Sequence, residues 1–290
     1  MIPAPFDYLA PRSLDEAIKA LAAQGEDAKL LAGGHSLLPI LKLRLATPKT
    51  LIDLRKIPDL RGIREEGGKI SIGALTTHYE IESSELLKRK CPLLPKTAQR
   101  IGDVQVRNRG TIGGSLAHAD PAADWPAAIL ALGAELKLRG PKGERWLSAE
   151  DFFLDIMTTA LEPAEILTEI RVPVLTRQSG AAYLKMAQKA SGFAIIGIAV
   201  WLELSKSRSV NAIGVGITGL SNKPFKAVKV ETGLRGKRLS RQVIEEAVGP
   251  VADGISALDD IHASKEFRAH LARIYTAKAI AEAATGRASI

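Results

Sequence analysis

Residues 110–115, Gly-Thr-Ile-Gly-Gly-Ser, put three glycines and two hydroxyls into six positions with one apolar side chain. A stretch of that make suits one kind of chemistry, the cradling of an anion. Glycine leaves the backbone free to turn and to approach a ligand, and the flanking hydroxyls add donors. A second stretch has the same make. Residues 28–38 read Ala-Lys-Leu-Leu-Ala-Gly-Gly-His-Ser-Leu-Leu, an apolar strand running into Gly33, Gly34 and Ser36. Singly, each is equally an ordinary glycine bend. Paired, the two loops supply donors to two linked phosphates.

Other constellations carry less. Residues 214–219, Gly-Val-Gly-Ile-Thr-Gly, fit the dinucleotide fingerprint G-x-G-x-x-G, but they lie in a strand-like run followed by the turn 221–224. The fingerprint needs a helix there, so the match is read as chance. Gly34-His35-Ser36-Leu37-Leu38 approaches a nucleophile elbow without its last glycine, which sets a serine hydrolase aside. The five histidines are scattered and no cysteine pair exists, so no metal site is predicted. His118, Asp120 and Asp124 are read as capping and hydrogen-bonding groups, with Asp120 or Asp124 starting the helix from Trp125 to Leu132.

The elements that must hold the loops follow from periodicity. Strands are expected at 6–12, 29–32 and 50–54. A helix begins at the Ser13–Glu16 capping box, and a short helix or irregular turn covers 37–45. Next come a hairpin around Gly67-Gly68, helices at 77–87 and 94–101, the second glycine loop, a hairpin around 140–143, and a strand at 166–172. Pro173 to Gly180 is the best boundary. Beyond it, 182–189, 193–204 and 210–220 have strand character, with 228–233 as a weaker fourth. Helices at 241–249 and 266–283 should cover one face of that antiparallel sheet.

A length of 290 residues fits two domains, or one domain with subdomains. The single cysteine, Cys91, excludes a disulfide framework and any iron–sulfur cluster held by this chain alone. The proline-rich start lacks the apolar run of a signal peptide, and the longest apolar stretch, 193–204, is too short to span a bilayer, so a cytoplasmic protein is expected. The net charge of +8 comes from dispersed lysines and arginines, and aromatics are only 4%. Too few stacking platforms remain for single-stranded nucleic acid. A solvated basic face, or a surface that meets an acidic protein subunit, is the better reading.

Ala32-Gly33-Gly34-His35-Ser36 with Thr111-Ile112-Gly113-Gly114-Ser115 closely resembles the two FAD-pyrophosphate loops of the medium, flavin-binding subunits of molybdenum hydroxylases, of the carbon monoxide dehydrogenase and xanthine dehydrogenase type. The resemblance runs from Phe6-Asp7-Tyr8 to the last helix. It implies an α+β fold: an FAD-binding domain of the vanillyl-alcohol-oxidase type at 1–176, in subdomains of about 1–55 and 56–176, then an α+β domain at 177–290. It implies pyrophosphate contacts from both loops, Gly110 included, and nucleotide-lining roles for Leu31, Leu37 and Ile101. Asp124 matches the acid on the flavin's sugar portion, and Leu167 and Lys185 match positions beside the isoalloxazine. Ser191-Gly192-Phe193 stands where the family often has Gly-Asp-aromatic, so Phe193 shields the ring without a hydroxyl or an adjacent aspartate.

The function implied is electron transfer. A large partner subunit carries the molybdenum cofactor, a small one carries [2Fe-2S] clusters, and this chain's FAD passes electrons to an acceptor that the sequence does not name. No catalytic acid or base is expected. The alternatives are a self-contained FAD oxidase or dehydrogenase of the same fold, or a non-enzymatic basic scaffold or nucleic-acid-binding module.

Overall fold

The computed structural model describes residues 1–285, so positions 286–290 of the expected second domain lie outside the described residues. The chain begins with β1 (Asp7–Leu9), α1 (Leu14–Gln24), β2 (Ala28–Leu31), α2 (Leu37–Lys42) and β3 (Thr50–Asp53). The three strands form a parallel sheet in the order β1-β3-β2. Ser13 caps α1 by accepting from the Glu16 N–H, while the Glu16 carboxylate accepts from Arg12 N–H, one residue before the cap. Ala17, Ile18 and Leu21 are the buried stripe of α1, which packs on Ile52 and Leu54. Pinned from behind in this way, β2 delivers the first glycine loop at its end.

The second region runs through the hairpin β4 (Ile63–Glu66) and β5 (Lys69–Gly73), then α3 (His78–Ser83), α4 (Glu85–Lys90), α5 (Leu93–Ala98), α6 (Val104–Arg109), α7 (Ile112–His118) and α8 (Trp125–Ala131). It closes with β6 (Glu135–Gly140), β7 (Gly143–Ser148), α9 (Ala149–Phe152), β8 (Phe153–Asp155), β9 (Thr158–Thr159) and β10 (Ile166–Pro173). The antiparallel sheet has the order β4-β5-β10-β6-β7.

Three expectations change in this region. The single helix at 77–87 is two helices, because Ser84 turns extended (ψ 113°) and its hydroxyl caps α4 at the Leu87 N–H. The helix α6, capped by Asp103, was not expected at all. The second glycine stretch is the opening turn of α7 rather than a loop, since the Thr111 hydroxyl accepts from the Gly114 N–H and starts the helix.

The third region is the sheet β11 (Ser179–Ala187), β12 (Ala194–Leu204), β13 (Val210–Thr218) and β14 (Phe225–Lys226), antiparallel in that order. It is followed by α10 (Val228–Leu234), α11 (Arg241–Val248) and α12 (Lys265–Thr285). The weak strand at 228–233 is thus a helix, and the fourth strand lies just before it. The Glu231 carboxylate, buried on α10, accepts from Val215 N–H on β13, a tertiary bond that the helix makes possible. Helices on one face also proved incomplete. Ile196, Ile198, Val200 and Leu202 of β12 point into the core under α12, but Ala199 joins the core shared with α8. With both faces covered, β12 reads as a continuous apolar run. No helix among the described residues is long and apolar enough to cross a membrane.

Candidate functional site

The two glycine stretches meet. A Cβ on Gly33 would overlap the Arg109 carbonyl and the Gly110 Cα, and one on Gly113 would overlap Ala74. These glycines therefore serve backbone-to-backbone contact, whereas Gly34 serves the turn itself, at φ +82°. Around the junction lies a cleft of about 520 Å³. Of the residues expected at the site, Ala32, Gly33, Gly34, His35, Ser36, Leu37, Ile101, Gly110, Thr111, Gly113, Gly114, Ser115, Asp124, Leu167 and Phe193 all line it. Leu31 and Ile112 stand behind the wall in the core, and Lys185 is also set back.

The donors divide unequally between the two stretches. Among the described residues, no protein group accepts from the N–H of Gly33, Gly34, His35 or Ser36. In the second stretch only Thr111 has an open N–H among the described residues; the others are engaged, Gly110 to Val106 O, Ile112 to Thr76 O, Gly113 to Ala74 O, Gly114 to the Thr111 hydroxyl, and Ser115 to Thr111 O. Side-chain hydroxyls come from both stretches. The Ser36 hydroxyl makes no cap bond to α2, and the Ser115 hydroxyl has no protein partner among the described residues. Four adjacent open N–H groups and two hydroxyls suit a diphosphate, and Leu37, Ile101, Leu167 and Phe193 offer apolar walls. The donor set fits a flavin dinucleotide.

Asp124 is not the helix cap that its position suggests. Its backbone is helical and its side chain makes no cap bond to α8. The carboxylate instead accepts from the Tyr183 hydroxyl at 2.5 Å and from Lys185 Nζ at 2.9 Å. Burial pushes this carboxyl above its ordinary value, while Lys185 and Tyr183 pull it down. Lys185 Nζ also donates to the carbonyls of Arg100 and Gly192. Three acceptors use all three ammonium protons. Lys185 therefore joins the 100–102 and 191–193 segments, both on the cleft rim, with its charge balanced by Asp124. Phe193 on that rim is 41% exposed.

Sequence reasoning passed over several cleft residues. His78, Glu165, Lys29, Gly102 and Val106 also line it. Only His78 had a local signal, since it follows Thr77 in a full Thr77–Glu80 capping box, and that box fixes a helix start without saying which way the ring faces. A second depression of about 650 Å³ shares Ala32, Leu75 and Thr111 with the cleft. Its Arg55 and Arg61 are tied to Asp53 and Glu80. No group of three or more metal-ligating side chains occurs among the described residues, His118 and Asp120 included.

Comparison with known families and structures gives concordant matches. Residues 4–175 match the FAD binding domain in molybdopterin dehydrogenase, and residues 181–283 match the CO dehydrogenase flavoprotein C-terminal domain. The chain is 42% identical over 98% of its length to the carbon monoxide dehydrogenase medium chain of Afipia carboxidovorans, covering 98% of that chain. It is 36% identical over 98% of its length to the glyceraldehyde dehydrogenase medium chain of Sulfolobus acidocaldarius, covering all of it (100%). A chain in the structure of reconstituted CO dehydrogenase from Oligotropha carboxidovorans superposes with a TM-score of 0.96 at 40% identity, over 99% of this chain and 100% of that one.

Proposed function

This chain belongs to the FAD-binding medium subunits of the molybdenum hydroxylases, as an oxidoreductase subunit, and we propose that it carries electrons from a partner's iron–sulfur clusters through FAD to an external acceptor. In this reading a large partner subunit holds the molybdenum cofactor and oxidises the substrate, and a small one holds the [2Fe-2S] clusters. One observation supports the cofactor's placement: residues 33–36, whose N–H groups have no protein acceptor among the described residues, line a cleft that Ser115 also lines.

When bound, the flavin supplies the redox chemistry. The chain's own residues bind, orient and shield it. The first loop and the two serines take the diphosphate, Asp124 takes the sugar portion, and Leu167 and Phe193 flank the ring. Leu31 and Ile112 support the two loops from the core. Lys185 acts through the rim segments it joins and through Asp124, keeping a positive charge next to the group that meets the cofactor. The division into 1–176 and 177–290 belongs to the same proposal, supported by family matches that end at 175 and resume at 181.

The two relatives are named for different substrates, yet the chain is similar to both along its whole length. That likeness supports leaving substrate choice to a partner subunit. We assign the subunit to the cytoplasm, a compartment that suits its free thiol at Cys91.

An absorption spectrum of the purified chain after incubation with FAD tests the reading. A resolved flavin spectrum is expected, followed by substrate-dependent bleaching once the large and small partners are added. No flavin uptake, either alone or with those partners, sinks it.

A further inference from the structure

His78 is a buried cleft residue to which the binding scheme above gives no part. It is the first residue of α3, set by the Thr77–Glu80 capping box, and its N–H donates to the Gly110 carbonyl at 2.9 Å. Its side chain lies against the start of α8, where the fully buried Trp125 donates its indole N–H to His78 Nδ1 at 3.0 Å. An indole nitrogen only donates. Nδ1 is therefore the acceptor, and the proton of the neutral ring sits on Nε2. Burial first, then the charges of His35 and Arg107, hold the ring's pKa down at about 3, so it stays neutral at physiological pH.

The other nitrogen has a defined place. A Cβ on Gly110 would come within 2.5 Å of Nε2, so the N–H edge lies against the residue that Gly33 also touches. The residue is only 4% exposed, yet its ring lines the cleft and Nε2 has no protein partner among the described residues. Nε2 is not among the sealed, unpartnered side-chain atoms of the described residues, so this donor of fixed tautomer opens to the cleft, where a ligand oxygen can take its bond. The junction it faces is the one flanked by the open N–H groups of the first loop.

We propose that His78 is a further cofactor-binding residue whose Nε2–H donates to a phosphate oxygen of the flavin nucleotide, with Trp125 deciding which nitrogen carries the proton. The inference rests on the FAD reading above. It makes the Trp125–His78 pair part of the binding apparatus, although Trp125 never reaches the ligand.

FAD titrations of the full-length chain, with the phosphorus NMR spectrum of the bound nucleotide, test it in three variants. His78→Gln keeps a side-chain N–H and should bind FAD within about threefold of wild type. His78→Phe should bind at least about tenfold more weakly and move a diphosphate resonance, because a bond to a charged group is lost. His78→Phe combined with Trp125→Phe removes the stranded indole N–H, so the melting temperature of the apo chain should recover while FAD affinity stays low. Wild-type affinity and an unmoved phosphorus spectrum in His78→Phe overturn the proposal. So does recovery of affinity in the double variant, which would make the pair merely structural. If the wild-type chain itself takes up no FAD, with or without partners, the FAD reading has failed and this inference falls with it.

Discussion

The glycines at 33–34 and 110–114 and those at 214–219 belong to regions of similar composition that do different things. In β13, a Cβ on Gly214 or Gly216 would overlap the carbonyl of Ala131 or Ala127, so these glycines let α8 lie directly on the strand. None of residues 214–219 reaches the cleft. At the cleft, Gly33 and Gly113 are needed for the same reason, close backbone contact. What separates the regions is the state of the N–H groups. β13 is paired along its length with β12, whereas Gly33 to Ser36 keep theirs open. Open donors mark the proposed binding site; glycine content does not.

The largest effect should come from breaking the packing region. Gly216→Val should cost about 4 kcal/mol or more, since the helix carbonyl cannot withdraw without lifting α8 off the sheet. Thermal unfolding followed by circular dichroism should find little folded protein, and near-wild-type melting would refute the crowding argument. Next in size is Lys185→Met, which leaves the Asp124 carboxylate buried without its cation and should cost about 3 kcal/mol. Denaturant midpoints measure this, and FAD affinity should fall with them as the rim segments separate.

The buried histidine adds a pH term. The unfolded ring binds a proton that the folded one does not, between the ordinary histidine value of 6.5 and its folded value of about 3. Stability is therefore complete above pH 6.5 and declines on acidification through that window, by about 1.4 kcal/mol per pH unit at most. Melting temperatures from pH 7 to 5 should show a slope in wild type that His78→Gln flattens; equal slopes would remove the assignment. Ser36→Ala and Ser115→Ala, made singly, should leave melting unchanged and weaken FAD binding about tenfold each. Fluorescence titration distinguishes that from the coupled loss at Lys185. The smallest effect is Gly34→Ala, about 1 kcal/mol from a positive φ and a crowded Leu38 side chain. Its FAD affinity should change less than that of either serine variant.

Apolar runs and alternation were enough to find the longer strands, though not β8, β9 or β14, and both loops were visible as glycine–hydroxyl clusters next to them. The misses share a cause. Residues 228–233 have the composition of a strand, but the helix is fixed by Glu231 reaching Val215 across the sheet. The stretch 110–115 looks like a loop because glycine is a poor helix former, yet the Thr111 cap starts a helix there. Asp124 sits where a cap belongs and instead finds Tyr183 and Lys185.

The sequence by itself determined the order of most elements, the family resemblance and the two glycine stretches of the cleft's lining, because these rest on residue type and local spacing. Only the tertiary structure decided which N–H groups stay open, that Lys185 is saturated, and which nitrogen of His78 carries its proton. Each of those depends on a partner far along the chain, 61 positions for Lys185 and Asp124, 47 for His78 and Trp125. A hydrogen bond is set by a few tenths of an ångström and an angle, and only the folded backbone fixes either.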